Sequence, residues 1–483
     1  MKHDIIIIGS GLGGLECAAM LSKQGYSVLV LERQIQPGGC MQSYRRGDTT
    51  FDTGLHYIGG ISEGQPLYDT FKSLGLLDLP WQHLDPNGFD HITIGSETFH
   101  FHEGYDNFAN SLAERFPSEK QALQDYIDML RKSDEEQLAT LNNPTATEDS
   151  FSNKSFNTNA YAWLKEHFKD DLLINVLSGA SLKMELHKDT LPLFTFAHGN
   201  GSFIQSSWRL KGDGNMLVDR LVKSIKDNGG QILCNTEAME LEEKDGRISA
   251  AICNNGERYE ADIFISNLHP ATTCDIARNC PSIKKIYRRR MANLANTFGM
   301  FTTSLRLKPG TLPYMNYNKF IYAKPNVWEM SEPGHDGYGI LVSCPYSADG
   351  YAHSLDLLTP MLWNEVAQWE NTTVGHRGDD YRAMKKTKAE ELIDIIVHHI
   401  PELEDAIDRY YTSTPLTYRD YNHTPQGSAY GIRKDSNNPI MTILTPRTPI
   451  SNLLMTGQNL MLHGLHGVTM TALYTCKVIP QIK

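Results

Sequence analysis

A chain of 483 residues is long enough for two to four domains, or for one large α/β protein with an inserted domain. Its 40% apolar and 21% charged residues, 38 Gly and 22 Pro exclude collagen-like, coiled-coil and largely disordered architectures. The 45 Lys and Arg against 57 Asp and Glu leave a formal charge of −12, which repels phosphate backbones, so no nucleic-acid partner is expected.

The chain opens with a β-branched run, Asp4 to Ile8, that predicts a strand. A glycine turn, a helix through about Lys23 and a second strand at Ser27 to Leu31 complete a βαβ unit. Glycines and Glu16 interrupt this apolar start, so it reads as part of the fold rather than as a signal peptide. No run approaches the roughly 20 apolar residues that cross a bilayer. Residues 104–140 read as a strongly charged helix, and the Asn, Ser and Thr of 142–159 as a loop. From Gly212 to Pro270 the α/β pattern returns: a helix at 215–228 stopped by Gly229 and Gly230, strands at 231–235 and 261–265, and a turn at Asp245-Gly246. After Asn452 come a short strand, a glycine-rich turn and a last helix; there is no internal repeat. The eight cysteines are scattered, without a CxxC pair or zinc-finger spacing, which suits a reducing cytoplasm.

The sharpest motif is Gly9-Ser10-Gly11-Leu12-Gly13-Gly14, a GxGxxG between the first strand and the first helix. Gly9 permits the tight turn, Gly11 lets the backbone approach a pyrophosphate, Gly14 lets helix and strand pack closely, and the free amides of the helix N-terminus face the phosphates. Glu32, 23 residues beyond Gly9, ends the second strand where its carboxylate can accept hydrogen bonds from ribose hydroxyls. This fingerprint serves NAD and FAD alike. Beyond Glu32, however, Arg33 to Ser43 carry a second glycine turn, Gly38-Gly39, just before Cys40, which lets another backbone segment lie against a long dinucleotide.

Here the sequence resembles the FAD-dependent amine oxidases and phytoene desaturases, whose members carry this Gly-Gly doublet after the acidic residue. Asn452 to Asn459 followed by Gly464 to Val468 resembles the C-terminal segment that returns to the flavin in that family, and a helix starting near Gly467 would point its positive end at the flavin pyrimidine. More narrowly, Phe51 to Gly59 resembles the all-trans-retinol saturases, as do Thr456-Gly457-Gln458 and Gly464-Leu465. Thr414 to Thr417 and Gly427 to Gly431 resemble segments shared with the carotenoid isomerases. Both ends and the 205–270 stretch match well; 76–200 and 276–410 match poorly, and substrate identity is expected to lie there.

The resemblance implies an α/β fold: a discontinuous Rossmann-type FAD-binding domain from 1–75, 205–275 and 450–483, with an inserted α+β substrate domain from 76–204 and 276–449. It implies FAD held by Gly9, Ser10, Gly11, Gly13, Gly14, Glu32, Arg33, Gly38, Gly39, Cys40, Gly54, Ala238, Gly457, Gln458, Gly467 and Val468. It places His56 and Tyr430 near the ring as candidates for moving a proton. The implied reaction is saturation, desaturation or isomerisation of a carbon-carbon double bond in an apolar, carotenoid- or retinoid-like polyene. With no second GxGxxG, electrons are expected from, or to, a diffusible donor or acceptor; an insoluble substrate implies peripheral membrane contact of a cytoplasmic protein. Two alternatives share the scaffold: an FAD-dependent amine oxidase, and a non-catalytic binding protein like the Rab GDP-dissociation inhibitors.

Other constellations have plainer readings. His463 and His466 stand at i, i+3, but no third ligand sits at a diagnostic spacing, so they read as flavin-proximal and no metal is expected. Asp52 pairs with His56 as acid and base, or caps a turn. Lys284, Lys285 and Arg288 to Arg290 read as a solvated helix face, with contact to anionic lipid as the alternative.

Overall fold

The computed structural model describes residues 2–142 and 154–479. Lys2–Ile8 is extended because its β-branched residues suit a strand covered on both faces; Ile5, Ile6 and Ile7 have no exposed surface. The first helix, Leu12–Lys23, returns the chain to a parallel strand, Val28–Leu31, with Ile5 opposite Val28 and Ile8 opposite Leu31. Gln231–Leu233 extends the sheet beyond Val28–Leu31, and Arg258–Ser266 pairs with the other side of Lys2–Ile8, both parallel. Leu453–Met455 adds a further parallel partner to the end of Arg258–Ser266, while Ala238–Lys244 and Arg247–Cys253 run antiparallel at that edge. One Rossmann-type sheet thus takes strands from the start, the middle and the end of the chain.

Parallel strands need cover on both faces. On one, Leu12–Lys23, Asn215–Asp227 and Gly464–Lys477 bury Ile5, Ile7, Leu217, Leu221 and Val468 in one core. On the other, Ile6, Ile8, Leu29 and Leu31 pack beneath the antiparallel strands and Cys274 to Ile283.

A second, mostly antiparallel sheet holds, in spatial order, Ile407–Ser413, Gly299–Leu307, Ser354–Met361, Gly339–Ser343, Asn318–Tyr322, Asp90–Ile94 and Glu97–Phe101. Between the sheets, Ser207–Leu210 pairs with both Ile58–Gly59 and Trp81–His83. The charged helix expected over 104–140 is two helices, Tyr105–Arg115 and Lys120–Asn142, because Pro117 lacks an N–H and disfavours helical backbone at Phe116. Most of the loop expected at 142–159 lies outside the described residues; from Lys154 it opens with a helical turn, Lys154–Asn157. Among the described residues no helix is long and apolar enough to cross a membrane.

Candidate functional site

The glycine turn after Lys2–Ile8 is tight because Gly9 takes φ +92, a backbone that side chains resist, and its N–H bonds the Leu31 carbonyl at 2.8 Å. A Cβ on Gly14 would lie 2.2 Å from the Gly9 carbonyl oxygen, so only glycine lets the helix start there. The second turn folds onto the first: Gly38 N–H donates to the Ser10 carbonyl at 2.9 Å, and Gly11 and Gly38 form a parallel bridge. The C-terminal segment closes the cradle, with Gly457 Cα 3.1 Å from where a Gly13 Cβ would sit.

These turns form one end of a cavity of about 500 Å³. Of the residues expected at the cofactor, Gly9, Ser10, Gly11, Gly13, Glu32, Arg33, Gly39, Cys40, Gly54, Ala238, Gly457, Gln458 and Val468 line it, as do His56 and Tyr430. Gly14, Gly38 and Gly467 do not; their missing side chains serve packing instead, against Gly9, Val218 and the Leu462 backbone respectively. The last helix starts at Gly464 rather than near Gly467, so Gly464, Leu465 and His466 of its first turn reach the cavity.

The donor set suits a dinucleotide. The N-cap residues of the first and last helices are Gly11 and His463; neither helix has a side-chain cap or an acid in its first turn, and both N-caps line the cavity. Their amides are available to anionic groups. Glu32 is buried and oriented by three donors: Ser10 N–H at 2.9 Å, Ser10 hydroxyl at 2.5 Å and Gln34 N–H at 2.7 Å. Arg33 is tied to the Asp420 carbonyl and to His423 Nε2, both at 2.5 Å, clamping this edge to the helix Pro415–Asn422. Burial pushes the Cys40 thiol up to about 11, so it is no nucleophile at neutral pH. Asn267, after Arg258–Ser266, sits against Gly11, Gly13, Gly14 and Gly457 and lines the cavity. Sequence reading missed it, although it directly follows a recognised strand.

The other end of the cavity is apolar, walled by Met300, Leu341, Leu358, Ala429 and Leu462. Lys183, also missed, brings an amine to this wall. Its Nζ donates to the Tyr57 hydroxyl at 3.2 Å and lies 3.8 Å from the Phe203 ring centroid. Burial pushes the ammonium down to about 8, opposed by the Asp90 charge. Tyr57 donates to Asp90 at 2.8 Å, and Asn318 bridges Asp90 to the Arg209 guanidinium with bonds of 2.9 and 2.7 Å.

His56 and Tyr430 reach the wall in different states. Burial, then the Arg209 charge, pushes the His56 imidazole down to about 4, so it is neutral across the physiological range instead of titrating within it. Its Nε2 is buried without a partner. Tyr430 donates its proton to the Leu182 carbonyl at 2.7 Å, and burial raises its pKa far above the ordinary phenol value. Asp52 accepts the Gly214 N–H at 2.7 Å, ahead of Asn215–Asp227, a bond across the fold rather than within its own turn. His463 packs on Tyr430, and His466 on His198, with ring centroids 4.9 and 5.9 Å apart.

Comparison with known proteins places this geometry. The chain is 24% identical to the all-trans-retinol 13,14-reductase of Danio rerio, over 98% of this chain and 85% of that protein. It is 24% identical to prolycopene isomerase 1, chloroplastic, of an Oncidium hybrid cultivar, over 89% of this chain and 75% of the other. It superposes on the crystal structure of an oxidoreductase from Methanosarcina mazei with a TM-score of 0.63, over 99% of this chain and 100% of that one; at 16% identity this is a likeness of fold. The model of the flavin containing amine oxidoreductases matches residues 12–480, and the chain belongs to that family.

Proposed function

We propose that the protein is an FAD-dependent oxidoreductase that saturates a carbon-carbon double bond of an apolar, retinoid- or carotenoid-like polyene. The observation that carries this reading is one cavity with a dinucleotide cradle at one end and an apolar wall bearing a single amine at the other. The relatives named for retinol reduction and prolycopene isomerisation support the substrate class.

FAD, when bound, supplies the hydride equivalent. The amides that start Leu12–Lys23 would hold its phosphate oxygens, Glu32 would accept from its ribose hydroxyls, and the amides that start Gly464–Lys477 would favour negative charge beside them. Saturation places negative charge on the carbon next to the one receiving hydride, and that carbon then takes a proton. Lys183 Nζ offers the compensating positive charge at the wall. Isomerisation needs no net proton, so a wall that carries Lys183 and His56 favours saturation. Tyr430, its proton committed to Leu182, serves as wall.

The amine-oxidase alternative meets an obstacle. Two aromatic rings on the cavity, Tyr57 and Phe203, already hold the Lys183 amine, 5.4 and 3.8 Å from their centroids, so a substrate ammonium entering there would meet like charge. For delivery of an insoluble substrate, exposed Ile286 stands among exposed Lys284, Lys285 and Arg289, which suits an anionic lipid surface, while Arg288 and Arg290 are spent on backbone carbonyls.

The test is anaerobic reoxidation of the reduced purified protein by all-trans-retinol, followed by flavin absorbance and polyene loss. Return of the oxidised spectrum with loss of conjugation is the expected result. Hydrogen peroxide release with amines and inertness toward every polyene would overturn it.

A further inference from the structure

Resting on the reading that a proton must reach the reacting carbon, we propose that Asp356 is joined to His56 through one buried water. This path delivers the proton into the large cavity through the His56 ring.

A second cavity leaves about 10 Å³ for the centre of a water and is lined by Asp52, His56, Arg209, Ser343, Tyr346 and Asp356, among others. That is about the space one water needs. Among the described residues His56 alone lines both cavities. Three buried polar atoms on this small cavity have no hydrogen-bond partner: His56 Nε2, Arg209 Nε and Asp356 Oδ2. Arg209 and Asp356 are 2% and 0% exposed.

The other polar atoms of these two side chains are engaged. Arg209 Nη1 donates to the Tyr314 hydroxyl at 3.1 Å and the Met315 carbonyl at 3.0 Å, and Nη2 to Asn318 Oδ1 at 2.7 Å. Asp356 Oδ1 accepts from the Ser304 hydroxyl at 2.6 Å. Arg209 Nε–H remains as a donor and His56 Nε2 as an acceptor, while Asp356 Oδ2 is a donor when protonated and an acceptor when ionised. A water accepts from Arg209 Nε–H and donates to His56 Nε2; it accepts the Asp356 O–H while that acid is protonated and donates to Oδ2 once it is ionised, so all three atoms are satisfied in either state.

The proton moves in matched steps. Protonated Asp356 gives its O–H proton to the water, the water gives one of its own to His56 Nε2, and the ring releases the proton on Nδ1 toward the large cavity. One proton leaves the acid and one arrives; Asp356 ends as a carboxylate facing Arg209, the ring ends in its other tautomer, and exchange with solvent resets both. Burial and the nearby Asp52 raise Asp356 to about 7, which suits a proton store, whereas neutral His56 suits a conduit. Asp356 is thus a positioning and supplying residue that acts through His56.

Purified, flavin-loaded protein tests this. A high-resolution structure should contain one ordered water within hydrogen-bonding distance of all three atoms. Nitrogen-15 spectra of histidine-labelled protein, with His56 assigned by its loss in His56→Gln, should show Nε2 unprotonated and accepting a hydrogen bond. Asp356→Asn should shift that resonance and cut kcat at least about tenfold, with KM within about twofold, while Asp356→Glu should recover part of the loss. A dry cavity overturns the proposal. So does Asp356→Asn protein of full flavin content that keeps its turnover, whether or not the resonance moves. If wild-type protein turns over no polyene, the functional reading fails, and the water and resonance still decide the relay separately.

Discussion

Lys183→Met replaces a buried amine by a neutral side chain of similar length. Burial has brought the ammonium from 10.5 to about 8. Each pH unit of that displacement is worth about 1.4 kcal/mol, so charging the amine inside the fold costs roughly 3 kcal/mol. Because Lys183 lines an open cavity and its removal also loses the hydrogen bond to Tyr57 and the contact with the Phe203 ring, the net gain on removing it is about 1 kcal/mol. The sign follows from the proton count. Below pH 8 both folded and unfolded chains hold the proton and the penalty stands in full. Between about 8 and 10.5 only the unfolded chain holds it, so wild-type stability climbs with pH; above 10.5 the penalty is gone. The variant should therefore unfold at higher denaturant than wild type at pH 7, with the difference vanishing by about pH 10.5, at matched flavin occupancy. Turnover should meanwhile fall by roughly 10- to 1000-fold, the size of losing one charge-stabilising group at a reacting centre. A variant less stable than wild type at pH 7, or a stability difference that ignores pH, would refute the reasoning.

Three further outcomes are expected. Gly11→Val places a side chain within 2.8 Å of Asn267 Nδ2 at the cradle and should yield colourless protein; retained stoichiometric flavin of unaltered affinity would sink the cofactor assignment. Ending the chain after Ser451 removes Leu453–Met455 and Gly464–Lys477, whose Val468, Met470 and Ala472 are core, and should give insoluble, flavin-free material; a soluble yellow product would show that the sheet does not need its C-terminal strand. Tyr430→Phe loses only the bond to Leu182 and should cost less than about tenfold in turnover. A loss above a hundredfold on the retinol assay would restore Tyr430 as a proton donor.

What the sequence disclosed is what short-range pattern encodes. A β-branched run, a glycine turn and a helix are decided within some thirty residues, so Lys2–Ile8, Leu12–Lys23 and Val28–Leu31 are legible, and Glu32 with them. Local pattern starts the last helix three residues late because Gly464 and Gly467 are poor helix formers. There the close approach of Gly467 to Leu462 outweighs propensity. Lys183 was invisible for a different reason. It ends the turn Gly179–Lys183 with no motif around it, and it becomes chemical only when Tyr57 and Phe203, over a hundred and about twenty residues away respectively, close on its amine. His56 was legible as a residue of the site, but not its protonation, because its pKa is set by burial and by Arg209 arriving on another strand.

Arg209 shows why the chemistry depends on sheet register rather than on local sequence. It sits on Ser207–Leu210, which pairs with Ile58–Gly59 on one side and Trp81–His83 on the other. Its guanidinium donates to the Tyr314 hydroxyl, the Met315 and Tyr317 carbonyls and Asn318 Oδ1, all neutral oxygens, so the fold stabilises a buried cation without a direct carboxylate contact. A direct ion pair would have neutralised the guanidinium's field; spared that, the charge helps hold His56 neutral. Through Asn318, Asp90 and Tyr57 the same guanidinium is linked to Lys183, whose own charge is opposed by burial and favoured by Asp90. One hydrogen-bonded chain thus joins the two cavity-lining groups: a ring held neutral by burial and Arg209, and an amine brought near neutrality by burial against the pull of Asp90. A one-residue slip of Ser207–Leu210 would turn Arg209 to the opposite face and dissolve both arrangements while leaving the dinucleotide cradle intact.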